Sequence, residues 1–381
     1  MKWEKVKLGD IATFSNGINF NKTAYAKGIK LIGVSNFGDR FYPDYSQLQE
    51  VKKDIVRLED CLRNGDIVFV RSNGNKELVG RCMLVKNPTE RVTYSGFCIR
   101  ARLNDTDRYD PVYFTYYFKS KAFRRAVSGT AVGANIQNLS QARLSNHECR
   151  IPSIEVQHRI ADILSVYDDL IENNQKQIKL LEEAAQRLYK EWFVDLRFPG
   201  HENTKIVDGV PEGWSRGLLK ELISVNYGKD HKKAPDDGNI PVYGSGGLMR
   251  KCNKSLFSGE AVLIPRKGSL NNIMYVDETF WTVDTMFYAT MKQPHTAVFV
   301  YFFVKAFDMY SMNIGAAVPS MTTKILDAMD VVIPDKETLE KFDKLTKTYF
   351  NKIKTLQGQN ERLKIARDLL LPKLMSGKVE V

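Results

Sequence analysis

Two segments of the chain carry apolar residues at the spacing of a long amphipathic helix. The first follows Ile151-Pro152 and the second follows Ile333-Pro334. In each segment two stripes of mainly apolar residues repeat every seven positions, which predicts a coiled-coil seam. The stripes of the first segment are Leu164, Ile171, Ile178, Ala185 and Trp192, and Ile160, Tyr167, Asn174, Leu181 and Leu188; those of the second are Phe342, Tyr349, Leu356, Leu363 and Leu370, and Thr346, Ile353, Asn360, Arg367 and Leu374.

The order of the segments predicts that the two helices are antiparallel. The first helix ends where a second β-rich stretch begins, and the second helix starts where that stretch finishes. We predict that the two asparagines of the seam, Asn174 and Asn360, face each other. The same register then pairs Trp192 with Phe342, Ile178 with Leu356 and Ile171 with Leu363.

The stretch before each helical segment has the pattern of a compact α+β module. Short β-prone runs alternate with Gly, Asn and Asp. The first module contains the runs GIKLIGV, GDIVFVR and FCIRARL, and the second contains IPVYGSGG, GEAVLIPRKGS and TVDTMFYAT. One helix is predicted in YDPVYFTYYFKSKAFRRAV of the first module, and the aromatic run TAVFVYFFVKAF repeats it in the second.

The two modules repeat each other in sequence. The segment KWEKVKLGDIATFSNG aligns without a gap with GWSRGLLKELISVNYG, so that Trp3 matches Trp214 and Gly17 matches Gly228. We therefore expect two similar domains joined by two long antiparallel helices in a pseudo-two-fold arrangement. The predicted boundaries are 1–151 for the first module, 152–198 for the first helix, 199–213 for a linker, 214–333 for the second module and 334–381 for the second helix.

Charge favours a polyanionic partner. The 381 residues include 56 Lys and Arg against 45 Asp and Glu, a net charge of +11. An excess of this size is typical of nucleic-acid binding, although basic proteins without such a partner also exist. The chain lacks an apolar segment long enough for a signal peptide or a membrane span, so a cytoplasmic protein without membrane contact is expected.

No site for catalysis is predicted. The five cysteines are scattered without CxxC spacing, and the five histidines lack metal-binding spacing, so neither a metal nor another cofactor is expected. The string Asn87-Pro88-Thr89-Glu90 lacks the second proline and the aromatic residue of a methyltransferase motif. Adjacent Asp168 and Asp169 are expected on a solvated or partner-facing side of the helix. A self-contained methyltransferase or nuclease, and a coiled-coil scaffold, remain the rival hypotheses.

Several segments resemble the specificity subunit of type I restriction-modification systems, over essentially the whole chain. They are QRLYKEWFVDLRFPG, VPEGWSRGLLKEL, LLPKLMSGKVEV, WEKVKLGDI and IPSIEVQHRIADILSVYDDLIE. The resemblance implies a non-catalytic subunit whose two target-recognition domains each read one half of a split target in double-stranded DNA. It also implies that the helices set the spacing and hold two adenine-methyltransferase subunits, and through them the restriction subunits. The second helix lacks the Glu-x-Gln element found at Glu155 and Gln157.

Three sets of polar loops are candidates for DNA contact. RSNGNKELVGR matches PRKGSLNN in position, SNGINFNK matches NYGKDHKK, and PVYGSGG is the third. Arg, Asn, Ser and Lys on such loops can bind phosphates or base edges. Each loop has an ordinary structural alternative, as a solvated hairpin tip, a charged surface turn or a tight turn. The candidate residues are Asn19, Lys22, Arg71, Ser72, Asn73, Asn75, Lys76, Lys229, His231, Lys232, Lys233, Tyr243, Ser245, Arg266, Lys267, Ser269 and Asn271.

Overall fold

A computed structural model of the chain describes residues 3–38, 40–73, 75, 78–127, 137–312 and 320–381. It contains two compact units, which we call unit 1 and unit 2. Unit 1 comprises Met1–Asn174 and Gln357–Val381, and unit 2 comprises Gln175–Leu356. Each long helix therefore contributes one part to each unit.

The strands and helices alternate along both halves of the chain. Those of the first half are β1 (Glu4–Lys7), α1 (Leu8–Ile11), β2 (Ala12–Asn16), β3 (Tyr25–Ile32), β4 (Gln49–Val51), β5 (Ile67–Val70), β6 (Ser72–Asn73), β7 (Cys82–Leu84), β8 (Val92–Tyr94), β9 (Cys98–Leu103), α2 (Pro111–Lys119), α3 (Lys121–Val127), β10 (Gln137–Asn138), α4 (Gln141–Ser145), β11 (Glu148–Ile151) and α5 (Ile154–Tyr189). Those of the second half are β12 (Ile206–Val207), β13 (Val210–Pro211), β14 (Ser215–Leu218), β15 (Ile223–Tyr227), β16 (Ile240–Gly244), β17 (Gly247–Cys252), β18 (Phe257–Pro265), β19 (Met274–Thr282), β20 (Met286–Met291), α6 (Ala297–Lys305), α7 (Thr323–Asp327), β21 (Asp330–Ile333) and α8 (Lys336–Met375).

Unit 1 is built on small sheets covered by an aromatic helix. One sheet has the order β2-β9-β5-β7, and another has the order β4-β3-β8, in which β3 and β8 are parallel. The buried ring of Phe118 on α2 packs 5.0 Å from that of Phe69 on β5. Burial of such large side chains supplies most of the stabilisation of a module of this size.

Unit 2 joins the same strands into one sheet, in the order β15-β20-β18-β19-β16-β17. The long strand β19 pairs with β18 along its length, and its end pairs with β16 in parallel. In unit 1 two separate strands take the place of β19. The strand β7 pairs with β5, and β8 pairs in parallel with β3. The two modules therefore share a topology, and differ in whether one strand is interrupted.

The internal repeat extends to the pairing register. In unit 1 the first strand pairs with the last, with Glu4 opposite Ile151. In unit 2 Ser215 stands opposite Ile333 in the same antiparallel arrangement. These pairs follow the sequence alignment of the two modules, so the prediction of a duplicated module is confirmed.

The prediction of a single helix in YDPVYFTYYFKSKAFRRAV is wrong, because the structure has two helices there. Ser120 separates α2 from α3 with extended backbone angles, φ −61° and ψ 143°. Its hydroxyl accepts a hydrogen bond from the backbone N–H of Phe123, at 3.2 Å. Serine favours helix caps because its side chain competes with the backbone in this way.

Within unit 1, α5 and α8 meet at buried polar residues. The Asn174 side chain donates to the Asn360 side chain at 2.9 Å, which confirms the predicted register. Asp168 is 5 % exposed, accepts a hydrogen bond from the Tyr116 hydroxyl at 2.6 Å, and forms an ion pair with Arg367. The expectation of a solvated Asp168 is therefore wrong. Burial and the adjacent Asp168 carboxylate raise the pKa of the Tyr116 hydroxyl far above its usual value.

Within unit 2, the same two helices meet through aromatic rings. The rings of Trp192 and Phe342 lie 5.8 Å apart, as the register predicts. Phe193 packs 5.8 Å from Trp214 and 4.9 Å from Phe299, both in the second module. This end of the helix pair is thus part of the core of unit 2.

Among the described residues, no helix is both long enough and apolar enough to cross a membrane. Over the same residues, no group of three or more His, Cys, Asp or Glu side chains is placed to hold a metal ion.

Candidate nucleic-acid interface

In both units a glycine lets one chain segment cross closely over another. The backbone N–H of Gly17 donates to the carbonyl of Cys98 at 3.2 Å. A Cβ atom added at Gly17 would lie 2.1 Å from the carbonyl oxygen of Tyr94, and one at Gly228 would lie 2.0 Å from that of Val283. These distances exclude any side chain, so both glycines fix where the following loop starts.

After each glycine the chain forms a short 3₁₀ turn with a polar cap. Lys22–Ala24 is capped by the Asn21 side chain, which accepts from a backbone N–H at 3.1 Å. His231–Lys233 is capped by Asp230 in the same way, at 3.0 Å. Each cap binds a backbone N–H and so stabilises the turn from which the lysine side chains extend. The exposed lysines of these turns are Lys22, Lys232 and Lys233.

In unit 1 the two candidate loops meet at the turn that joins β8 to β9. Arg71 donates from its guanidinium to the carbonyl of Gly96 at 3.1 Å. Asn19 lies against the same glycine, because a Cβ atom added at Gly96 would fall 2.1 Å from the Asn19 side-chain oxygen. The N–H of Ser72 donates to the carbonyl of Phe97 at 3.4 Å. The structure thus brings Asn19, Arg71 and Ser72 together.

Arg266 occupies the equivalent place in unit 2. Its backbone N–H donates to the carbonyl of Thr285 at 2.8 Å, and its guanidinium to that of Asp284 at 3.5 Å. The guanidinium also lies 5.5 Å from the ring centre of Tyr227, which connects the two candidate loops of this unit. Arg71 and Arg266 therefore each hold a turn, and a guanidinium with five N–H groups has further donors left for a ligand.

The ends of these loops are pinned to the segment before α4 or α7. In unit 1, β6 pairs with β10, and in unit 2 Lys267 forms the corresponding bridge with Ser320. The side chain of Asn73 accepts the backbone N–H of Asn75 at 2.7 Å, as in an ordinary turn. The candidate Lys76 lies outside the described residues.

Two candidate residues of unit 2 form hydrogen bonds within or between the loops of that unit. The Asn271 side chain donates to Asp308 at 3.0 Å and accepts the backbone N–H of Met309 at 2.8 Å, so both ends of its amide are engaged. The carbonyl of Ser245 accepts the Asn272 side chain at 2.9 Å, which joins the PVYGSGG turn to the PRKGSLNN loop. The other exposed candidates of this unit are Lys229, Lys267 and Ser269.

Tyr243 and His231 are also partly engaged within the protein. The Tyr243 hydroxyl donates to Glu278 at 2.5 Å. Burial and this hydrogen bond raise the pKa of Tyr243 above its usual range. His231 accepts from the Arg250 guanidinium at 3.4 Å, and Arg250 also donates to the carbonyl of Ala234 at 2.7 Å.

Sequence reasoning missed three side chains at these surfaces. Arg250 fastens the His231–Lys233 turn from the neighbouring strand β17. Phe97, at the turn after β8, is 62 % exposed, and Tyr25, at the start of β3, is 44 % exposed. The signal for the aromatic residues was an apolar side chain inside a polar, Gly-rich run. No pattern in the sequence pointed to Arg250, because its partners His231 and Ala234 lie in a different loop.

The family described as "Type I restriction modification DNA specificity domain" matches residues 1–183 and 211–364, well over half of the chain. The chain belongs to this family. It is a DNA specificity subunit of a type I restriction-modification system, and such specificity subunits are non-catalytic. The resemblance that the sequence showed is thereby confirmed. Its family implies DNA and the other subunits of the complex as partners.

Relatives and a solved structure agree with the family. This specificity subunit is 26 % identical over 344 residues to the MjaIX specificity subunit of Methanocaldococcus jannaschii, covering 80 % of this chain and 76 % of the relative. It is 23 % identical to the HindI specificity subunit of Haemophilus influenzae, covering 99 % of each. The type I S subunit of M. genitalium has the same fold, with a TM-score of 0.58 at 19 % identity over 98 % of this chain and 96 % of that one. The expected α+β class is confirmed.

Proposed function

We propose that this specificity subunit reads a bipartite DNA target, one half with each unit, while α5 and α8 set the spacing and dock two methyltransferase subunits. Restriction subunits would join through the methyltransferases. The observation that carries the proposal is a repeated backbone framework that presents different side chains. The proposed domains are those predicted from sequence, with recognition domains at 1–151 and 214–333.

The framework is the same to the level of single hydrogen bonds. The guanidinium groups of Arg71 and Arg266 donate to the backbone carbonyls of Gly96 and Asp284, respectively. The backbone carbonyl of each arginine accepts a hydrogen bond from the segment before the next helix. The positions beside them differ, since Ser72 corresponds to Lys267 in the backbone pairing. A shared frame with divergent loop residues supports two readers of unlike half-sites.

Exposed charge supports a phosphate-binding role for the loops. In unit 2 Lys232 and Lys233 project from a capped turn beside Lys229. Lysines held on such a turn bind phosphates without reading sequence, and displace counterions as they bind. In unit 1 the corresponding turn carries Lys22, flanked by the amides of Asn19 and Asn21.

Exposed apolar residues on the helices support their docking role. Ile163, Val166 and Leu170 are exposed at helical spacing on α5, and Ile365 and Leu369 are exposed on α8. Large side chains that repeat along one helix face are a feature of interaction surfaces. Methyltransferase subunits are the occupants that the proposal assigns to them.

The test is to co-express the chain with the methyltransferase subunit of its own system and map the methylated adenines. We expect a two-part motif with a fixed spacer, and we expect exchange of the loops of unit 2 to change only one part. A single contiguous motif, or a change in both parts, would contradict the proposal. Labelled S-adenosylmethionine should give no methylation when the chain is incubated alone with DNA.

A further inference from the structure

Unit 1 contains a cavity of about 380 Å³ beside its candidate DNA-binding residues. Its lining includes Lys22, the segment Gly33–Asn36 after β3, the turn Ser95–Phe97 and Gln49 of β4. The volume falls within the range of small-ligand sites, roughly 300–1,000 Å³. The cavity is therefore large enough for a planar ring system.

The cavity is lined by aromatic rings and amides. The rings of Phe20 and Tyr25 meet edge to face, 5.4 Å apart, and the Phe97 side chain is 62 % exposed at the rim. Residues with amide side chains, among them Asn19 and Gln49, also line the cavity. Aromatic faces stack on nucleobases, and amides pair with base edges.

In unit 2 the guanidinium of Arg250 bridges the segments that correspond to two sides of this cavity. Leu31 stands opposite Gln49 in unit 1, and its counterpart Val242 stands opposite Arg250 in unit 2. Arg250 donates to the carbonyls of His231 and Ala234, in the turn that matches Lys22–Ala24. The guanidinium thus bridges the strand and the turn, where Gln49 leaves a gap.

We propose that the cavity of unit 1 receives the thymine that is left unpaired when a methyltransferase subunit extrudes the adenine of the first half-site. The inference rests on the proposed function. Methyltransferases take their target base out of the stack, which leaves the opposite base without its pairing partner. Phe97 and Tyr25 supply stacking surfaces, Asn19 and Gln49 supply donors and acceptors, and Lys22 lies at the rim for the backbone phosphate.

The experiment uses the complex with its methyltransferase subunits and DNA that contains the mapped target. Each thymine of the first half-site is replaced in turn by 5-iodouracil, and crosslinks after irradiation are located by mass spectrometry. We expect the thymine opposite the methylated adenine to crosslink to Phe97 or Tyr25. Crosslinks from that position only to residues outside the cavity would overturn the inference.

The substitution Gln49→Arg introduces into unit 1 the residue type that unit 2 has at the matching position, Arg250. We expect it to lower this crosslink at least about tenfold, as loss of a stacked base predicts, without changing methylation of the second half-site. Gln47→Arg adds the same charge at an exposed position outside the cavity, and should crosslink as the wild type does. Wild-type crosslinking by Gln49→Arg would also overturn the inference.

Two further outcomes separate the inference from the proposed function. If the wild-type complex fails to bind or methylate a two-part target, the proposed function fails. If it binds and methylates but the cavity does not crosslink, only the cavity proposal fails. Should Gln49→Arg not fold, Phe97→Thr, which introduces the residue of unit 2 at this turn, serves as the second variant and should lower the crosslink equally.

Discussion

Units 1 and 2 share one backbone framework but present different side chains beside the turn that follows the glycine crossing. Unit 1 surrounds an open cavity with amides and aromatic rings. At the matching position unit 2 places the Arg250 guanidinium, next to a turn with three cationic or titratable side chains. The difference teaches that backbone crossings and carbonyl contacts fix the position of the proposed reading surface, whereas side chains at a few positions set its chemistry.

The contacts between α5 and α8 also differ between unit 1 and unit 2. Its part in unit 1 contains the Asn174 and Asn360 amides and the buried pair of Asp168 with Arg367. Its part in unit 2 is closed by aromatic rings that belong to the module core. Polar residues in a seam fix register at a cost in stability, whereas aromatic packing contributes stability with less directional control.

The largest effect is expected where the polar seam of unit 1 is broken. Arg367→Met leaves the buried Asp168 carboxylate without its cation, which should cost about 3–5 kcal/mol of unfolding free energy. Denaturant titration measures this. Arg362→Met, at an exposed position of the same helix, should leave the transition almost unchanged. Equal midpoints for the two variants would mean that the buried ion pair does not stabilise unit 1.

The shared framework can be broken at the glycine crossings. Gly17→Ala and Gly228→Ala should each destabilise by about 1–3 kcal/mol, because the new methyl group would overlap a carbonyl oxygen. Thermal unfolding is the measurement. Gly246→Ala is the control, since no atom lies within 4 Å of a Cβ there. Comparable loss in the control would remove the crossing as the cause.

Substitution of one arginine in each unit tests whether the two units read different half-sites. Arg71→Lys should weaken discrimination in one half-site by about 1–3 kcal/mol, since lysine cannot contact a base edge and the turn with the same fork of donors. Arg266→Lys should act on the other half-site. Methylation of targets with single-base changes measures both. A loss in both half-sites from one variant would indicate a folding defect.

The smallest effect concerns charge in unit 2. Replacing Lys232 and Lys233 by Gln should lower the slope of log affinity against log salt by about 2, as expected for the loss of two phosphate contacts. Binding titrations of the complex at several salt concentrations measure the slope. Lys344 and Lys352, exposed on α8, provide the matched double variant. An unchanged slope for the first variant would exclude its lysines from the interface.

Sequence alone predicted the helices, their register and the repeat of the modules. Those features follow from local periodicity and from a polar residue, Asn174, within an apolar stripe. It did not predict the burial of Asp168, because its partner Arg367 comes from 199 positions further along the chain. It also missed the break at Ser120, which depends on a cap inside an otherwise continuous apolar pattern.

The DNA-binding role of the candidate loops stays a prediction, and the contacts of their side chains within the protein were only partly predictable. A polar residue on a loop has the same sequence signature whether it faces solvent or ties its own loop together. Asn271 is held at both ends of its amide. Arg250 became a candidate only once strand pairing placed it beside His231. Such contacts depend on long-range register, which single residues do not encode.

Unit 1 is assembled from two segments that unit 2 separates in the chain, and this has a consequence during synthesis. Unit 2 is continuous and has left the ribosome before Gln357–Val381 emerges. Leu371 and Leu374 belong to the core around Ile160 and Leu164, so the apolar side chains of the first module that they cover stay uncovered until these two residues have been made. We expect the module that is made first to complete its core only after unit 2 has been made.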